Sequence, residues 1–415
     1  MHDRTNRPVR APITASVMHW ARASGGVSVE DLARSAGVSM EAVQSWEAGE
    51  ARPTLNQVRA VADRLKRPLA TFFLPAPPED PPLAPDFRTV RNRPGEGYSA
   101  ELLLELRKAR FLQSRFAEER EVLQAGQRGD LLKFEVSDDP GECAARMRRQ
   151  LGLSLEEQMA FRLNDCGLRE WRSILYHASV LSYGFRLDRD QALGFALTQP
   201  LAPLAAINLA AAPPQRVFTL FHELGHLCLG LSGVSDAVTE EPHYGAANVR
   251  QAEVFCNRFA SSLLLPLDHR RVIAAMDDLA GENTADDHRV GMVASRFRVS
   301  KYVLLHRMRD SGRLDRIQAN RIIGTWVALD DEREEQRKER EREKRERDKA
   351  DGRPIFGLTP VQNALSALGS DIVRDVLTAV DGGRIGEREA ADLLQTSAKH
   401  FGGLSEKLAA ARSHG

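Results

Sequence analysis

The pentad His222-Glu223-Leu224-Gly225-His226 lies inside an apolar run from Val217 to Leu227. As a helix, that run sets His222 and His226 one turn apart on one face, where both imidazoles can grip a single zinc ion. Glu223 stands beside them, within reach of an attacking water as general base. The flanking Phe218, Leu220, Phe221, Leu224 and Leu227 supply the apolar surface of a buried helix. Two histidines and a glutamate are costly inside such a helix unless a cation or hydrogen bonds satisfy them. The run therefore predicts a core helix built around a metal, and the chemistry of that pattern is hydrolysis of an amide. The plain alternative is a pair of core or solvated histidines on an ordinary helix.

A hydrolytic zinc site takes a third protein ligand and keeps one position open. The downstream candidates are Asp236, Glu240, Glu241, His243 and Glu253. Glu253 is the best placed. Residues 249–265 read as one helix, apolar at helical spacing and followed by Pro266. Glu253 shares its face with Cys256, Asn257 and Ala260, a largely uncharged surface on which a lone carboxylate wants a cation. His243 and Tyr244 fall in a loop containing glycine and proline, as candidates for contact with a substrate or transition state; a plain loop histidine is the rival reading. Cys256, one turn from Glu253, is a candidate thiol switch that could occupy the open position as thiolate. Its ordinary reading is a small buried apolar residue. Cys228, two residues past His226, points off the metal face.

The pattern F-T-L-x-H-E-L-G-H followed by E-x-x-C-N-x-F-A-x-x-L-L-x-P resembles the ImmA/IrrE family of metallopeptidases, which cut or control transcriptional repressors in bacteria. The resemblance implies metal ligands at His222, His226 and Glu253, a catalytic glutamate at Glu223, and Asn257 beside the site as a further substrate or transition-state candidate. Trp171-Arg172, Gly194-Phe195 and Ile207-Asn208 also match the family's pattern. Cys256 and Phe221 depart from it, since alanine is more usual at both, but neither departure removes a ligand. The resemblance covers residues 141 to 270 well and the flanks more loosely.

At 415 residues the chain has room for two to four domains. Its 58 basic and 58 acidic residues cancel, so any contact with nucleic acid has to come from a local patch rather than from overall charge. Cys143, Cys166, Cys228 and Cys256 are scattered with no CxxC pair, which favours a reducing cytoplasm over a disulfide scaffold. The first residues lack the apolar core of a signal peptide. The charge-free run from Gln191 to Gln215 is interrupted by prolines and reads as two short strands and a loop leading into the zinc helix, not as a membrane span.

Residues 13 to 74 show five short helical patterns. Ser28 to Ser39 followed by Met40 to Gly49 reads as helix-turn-helix: Ala33 is small where two helices cross, Gly37 permits the tight turn, and Ser39 caps the second helix. Pro53-Thr54 then begins a helix from Leu55 to Leu65. The segment resembles the Xre/Cro-type repressor domain in Ser39, Trp46, Glu47, Gly49, Pro53 and Thr54. The resemblance implies that the helix from Met40 enters the major groove, with Ser39, Met40, Gln44, Ser45 and Arg52 as DNA-contact candidates. That helix carries no Arg or Lys and includes Glu41 and Glu47, so weak binding as a monomer is expected. An arm with Arg4, Arg7 and Arg10 and a homodimer would add phosphate contacts. Use of the domain for protein contact is the rival.

Pro75 to Pro82 reads as a stiff linker. Ala100 to Gln124, rich in Arg and Glu at helical spacing, reads as a solvated helix leaning on the peptidase domain. Residues 292–308 give a second, fainter helix-turn-helix-like pattern, basic through Arg296, Arg298, Lys301 and Arg307, and assigned chiefly to packing. Residues 330–349 interleave acids and bases as an exposed helix or linker. The expected fold is α+β and mostly helical. An all-α helix-turn-helix domain (1–74) and a Pro-rich linker (75–98) precede a zincin-like zinc metallopeptidase domain with a small β-sheet (99–270). A helical extension (271–328), a charged helix or linker (329–352) and a small helical module (353–415) follow. The expected activity is that of a gluzincin-like zinc endopeptidase acting on a protein, a transcriptional repressor, and coupled to DNA binding through residues 13–74 in a bacterial regulatory or stress response. No membrane contact is expected. A transcriptional regulator whose peptidase-like domain is a sensor, and a toxin–antitoxin or phage-defence regulator, are the alternatives.

Overall fold

The computed structural model describes residues 10–65, 67–78, 99–119, 131–163, 165–189, 191–235, 247–280, 286–350 and 358–412. Arg4, Arg7, residues 79–98 of the linker, Asp236, Glu240, Glu241, His243 and Tyr244 lie outside the described residues. Described residues up to Arg110 form one compact unit and those from Phe111 onward a second.

In the first unit, α1 (Ala15–Ser24), α2 (Val29–Ala36), α3 (Met40–Ala48) and α4 (Leu55–Leu65) precede a 3₁₀ turn at Leu69–Phe73. Local chemistry sets these boundaries. The Ser28 hydroxyl accepts from the Asp31 amide at the start of α2, and the Ser39 hydroxyl accepts from Ala42 at the start of α3. Gly37 ends α2 with φ of 66°, a conformation that favours glycine, and this makes the turn between the two helices. Met18, Ala21, Leu32, Ala33, Val43, Trp46, Val58, Val61 and Phe72 close the core.

Glu47 faces inward. Arg22 of α1 donates to both its carboxylate oxygens, at 2.6 and 2.9 Å, and His19 lies 3.2 Å away. Burial alone would raise the Glu47 carboxyl, but Arg22 and His19 overcome it and hold the group below the usual carboxylate range. A carboxylate depressed in this way contributes stability that is present above the ordinary carboxylate range and lost as pH falls through the depressed value. Glu47→Gln is expected to cost about 1.5–3 kcal/mol near neutrality, the usual weight of hydrogen bonds to a charged partner. Hydrogen exchange of the α1–α3 amides should be faster in the variant at pH 7, and the difference should shrink on acidification.

The helix α5 (Ala100–Glu118) combines a charged composition with one buried face. Leu102, Leu103, Leu106, Ala109, Leu112 and Phe116 are all buried. Their three- and four-residue spacing makes a continuous apolar stripe beneath the Arg and Glu residues.

The second unit is built on a four-stranded sheet of order β1-β3-β2-β4, from β1 (Leu181–Phe185), β2 (Gly194–Leu197), β3 (Leu204–Asn208) and β4 (Gly233–Ser235). β1 runs parallel to β3, while β2 runs antiparallel to both β3 and β4. The charge-free run thus supplies β2 and β3, as its proline-broken apolar pattern implies. Around the sheet stand α6 (Pro140–Leu151), α7 (Leu155–Ala160), α8 (Leu168–His177), α9 (Pro213–Cys228) and α10 (Ala247–Leu264). Every residue of α9 from Val217 to Cys228 is buried.

The buried C-terminal end of α10 needs acceptors satisfied, and three side chains supply the donors. Arg148 donates to the Leu263 carbonyl at 2.8 Å, Gln158 to Leu264 at 2.8 Å and Arg307 to Leu265 at 3.0 Å. Burial lowers the Arg148 pKa to about 10, which leaves the guanidinium charged at neutral pH. Arg307 belongs to the basic segment after Pro266, where α11 (Arg270–Ala280), α12 (Asp287–Arg296) and α13 (Lys301–Asp310) follow. Val303, Leu304, Leu305 and Met308 of α13 lie in the main core, in line with the packing role.

The helix α14 (Arg316–Ala350) runs for 35 residues. Ala319, Ile322 and Trp326 bury its beginning, while its charged portion carries spaced pairs such as Arg337–Glu341 and Glu343–Arg347. The C-terminal helices are α15 (Pro360–Leu368), α16 (Ser370–Asp381), α17 (Glu387–Leu393) and α18 (Phe401–Arg412). Among the described residues no helix is long and apolar enough to cross a membrane.

Candidate metal centre

Pro213 and Pro214 open α9 at its first turn, where a missing N–H costs nothing and a fixed φ favours the helix. One turn separates His222 from His226, and their Nε2 atoms lie 3.1 Å apart. Glu253, on α10, brings Oε1 to 3.0 Å from His226 Nε2 and Oε2 to 3.3 Å from His222 Nε2. Among the described residues these three form the only cluster of histidine, cysteine or acidic groups with metal-holding proximity. Ligand atoms about 2.0–2.2 Å from a tetrahedral ion stand roughly 3.3–3.6 Å from one another, close to the separations seen here. Two imidazole nitrogens and a carboxylate are also a zinc-type donor set. The residues fit the metal.

The charges point the same way. His222, Glu223 and His226 are at most 2% exposed. Burial acts to depress the His222 imidazolium, but Glu253, Glu223 and the Asn257 acceptor outweigh it and raise its pKa to about 9. Burial lowers His226, with the His222 charge adding to the effect. The Glu253 carboxyl is held far below its usual range because the two imidazoles overcome its own burial. Two carboxylates in a closed apolar site call for a cation, and a metal supplies more charge than one shared proton.

Asn257 lies one helical turn from Glu253, and its Oδ1 is 2.8 Å from His222 Nδ1. As acceptor for the Nδ1–H it holds the tautomer whose Nε2 lone pair faces Glu253 and His226.

Glu223 is fully buried on the sheet side of α9. A Cβ at Gly194 would stand 2.6 Å from Glu223 Oε1, 2.6 Å from Thr219 Cγ2 and 2.7 Å from the Ala206 carbonyl oxygen. Only glycine in β2 lets α9 and its carboxylate come this close. Gly225 does the same on the other side, since a Cβ there would meet Cys256 Sγ at 3.0 Å and its Cα at 3.2 Å. Gly225 lies inside the sequence motif and Gly194 lies far upstream of it, and their partners Cys256 and Glu223 are 31 and 29 residues away, so these contacts had no local signal.

Cys256 fills that helix–helix contact. Burial, followed by the Glu253 and Glu223 charges, pushes its thiol well above the ordinary range. Its side chain is fully buried, and its close approach to Gly225 is a packing contact. Phe221 has a packing role too: its ring stands edge-on to Trp171, with centroids 4.6 Å apart.

In the first unit, Ser39, Met40, Gln44 and Arg52 are exposed and Ser45 is half-buried. Ser39 caps α3, and the Arg52 carbonyl accepts from Arg10 at 2.7 Å.

Residues 183–309 match the family model of the IrrE N-terminal-like domain, a peptidase family. Residues 18–72 match a helix-turn-helix family model. No curated protein matches the chain. The first match spans β1 to α13, and so contains all four residues His222, Glu223, His226 and Glu253.

Proposed function

We propose, from a chain that joins a helix-turn-helix domain to an IrrE N-terminal-like peptidase-family domain, that this protein is a zinc-dependent endopeptidase acting on a transcriptional repressor and coupled to DNA binding. The convergence of the His222, His226 and Glu253 donors, with the Glu223 carboxylate buried on the same helix, carries this reading. These three residues would hold the zinc. When bound, zinc supplies the Lewis acidity that activates water and polarises the scissile carbonyl. Glu223 takes a proton from the attacking water and delivers it to the leaving amine, which regenerates the carboxylate in each turnover. Asn257 keeps the His222 ring in its ligating tautomer. His243 and Tyr244 are proposed to contact the substrate. Zinc per purified chain tests the premise: about one in the wild type and sharply less in Glu253→Ala is expected. A folded wild type that takes up no zinc would sink the hydrolase reading.

The coupling to DNA rests on α3. With Glu47 turned toward Arg22, the exposed Gln44 and the half-buried Ser45 are the groups left to face bases, and Met40 and Arg52 flank them. A two-fold dimer would present two such helices to half-sites about one helical turn apart. On a selected operator, Gln44→Ala is expected to cost about 1–3 kcal/mol and relax specificity, whereas Arg52→Ala should weaken all sequences alike and reduce the salt slope by about 1. Binding of both variants at wild-type strength would redirect the domain to protein contact.

A further inference from the structure

Outside the metal centre, the second unit holds a cavity of about 270 Å³ between α8, the first turn of α9 and the junction of α15 with α16. Arg169, Arg172, Arg186 and Arg216 all line it, against Asp165 and Asp371. Asp371 is already paired with Arg374 at 2.6 Å.

Arg172 is the fixed part of the wall. It is 7% exposed, and four of its five N–H groups are spent on Ser182 Oγ, the Ser182 carbonyl and the Ser366 and Ala367 carbonyls of α15. Arg186 and Arg216 each donate once, to the Leu209 carbonyl at 3.2 Å and the Ala211 carbonyl at 2.6 Å. Those bonds satisfy geometry but not charge. Among the described residues, neither these two nor Arg169 has a carboxylate within ion-pair distance. Burial, and next the like charge of Arg186, hold Arg216 below its usual range, and Asp165 offsets only part of this. Four guanidinium groups gathered around one cavity with two carboxylates, of which Asp371 is shared with Arg374, leave an excess of positive charge that an anion can join.

We propose that this cavity binds a small phosphate-bearing ligand, inorganic phosphate or a compact phosphate ester. Planar guanidinium forks match phosphate oxygens, and several arranged around one space are the usual means of holding a dianion. The hydroxyls of Ser366 and Ser370 line the same space and can add hydrogen bonds. The volume, at the low end for ligand cavities, suits a phosphate with a few further atoms and excludes a polymer buried within it. Because the wall is drawn from α8 and α9 on one side and α15 and α16 on the other, a bound phosphate would clamp the C-terminal helices onto the peptidase core.

The full-length protein is titrated with inorganic phosphate, AMP and glucose 6-phosphate, with chloride holding ionic strength constant, and the heat of binding and melting temperature are read. Saturable binding at one site per chain, with a rise in melting temperature, is expected. Arg186→Gln and Arg216→Gln should each weaken it tenfold or more. A tighter response to either ester than to phosphate assigns an ester as the ligand, and the reverse assigns phosphate itself. Should Arg216→Gln lose helical circular dichroism, Arg186→Gln, at an exposed position, carries the test together with Arg169→Gln. Absence of saturable binding by all three probes, or binding unchanged in the folded variants, overturns the proposal. A DNA oligonucleotide that binds through Arg186 in preference to all three would overturn it as well.

Discussion

Glu223→Gln is expected to lower peptide hydrolysis by roughly two to four orders of magnitude while leaving zinc content near one per chain, the range that a positioned general base contributes. The amide is nearly isosteric with the carboxylate, so the close packing against Gly194 survives and the fold has little reason to change. What disappears is the proton acceptor. Glu253→Ala should behave differently, losing metal and activity together, since its carboxylate touches both imidazoles. Turnover of labelled casein and of a candidate repressor, read beside zinc content, separates the two roles. Wild-type turnover in Glu223→Gln would remove this residue from the chemistry, whatever the zinc content.

Gly194→Ala should injure the same site from the strand side. The added methyl would lie within 2.7 Å of three atoms, one of them the Ala206 carbonyl oxygen of the neighbouring strand. Backbone in the two fully buried strands β2 and β3 cannot yield cheaply, so the Glu223 side chain and α9 must move. Overpacking of this kind costs about 1–3 kcal/mol. The melting temperature should fall, and turnover should fall further than zinc content, because the displaced group is the base and not a ligand. A variant with unchanged melting temperature and turnover would show that β2 and α9 are less tightly apposed than their atoms indicate.

Much of the site was legible in residue order because its signals are short-range. Two histidines four apart on an apolar run specify one helical face. Glu253 stood out as the lone acid on an uncharged face of a second helix, and the structure brings it to within 3.3 Å of both imidazoles. The turn at Gly37, the cap at Ser39, the limits of α4 and the presence of two strands between Gln191 and Gln215 are likewise set by neighbours within a few residues. Periodicity and capping act over one or two turns, and there the sequence alone suffices.

Other features had no local trace. Glu47 looked like an acid spoiling a DNA-reading helix, but the packing of α1 against α3 turns it onto Arg22. Cys256 read as a small buried residue, but that its partner is Gly225 of another helix was not readable from its neighbours. Arg148, Gln158 and Arg307 cap one helix end from three separate segments, and the arginine cavity joins residues from α8 and α9 to a helix junction more than 150 residues later. The residue order therefore determined the helix-turn-helix and the helix that carries the two candidate histidine ligands, whose patterns are complete within a few turns. Only the tertiary structure decided which buried charges meet, which glycines are irreplaceable and where cationic side chains gather, because those outcomes depend on which faces of distant elements come together.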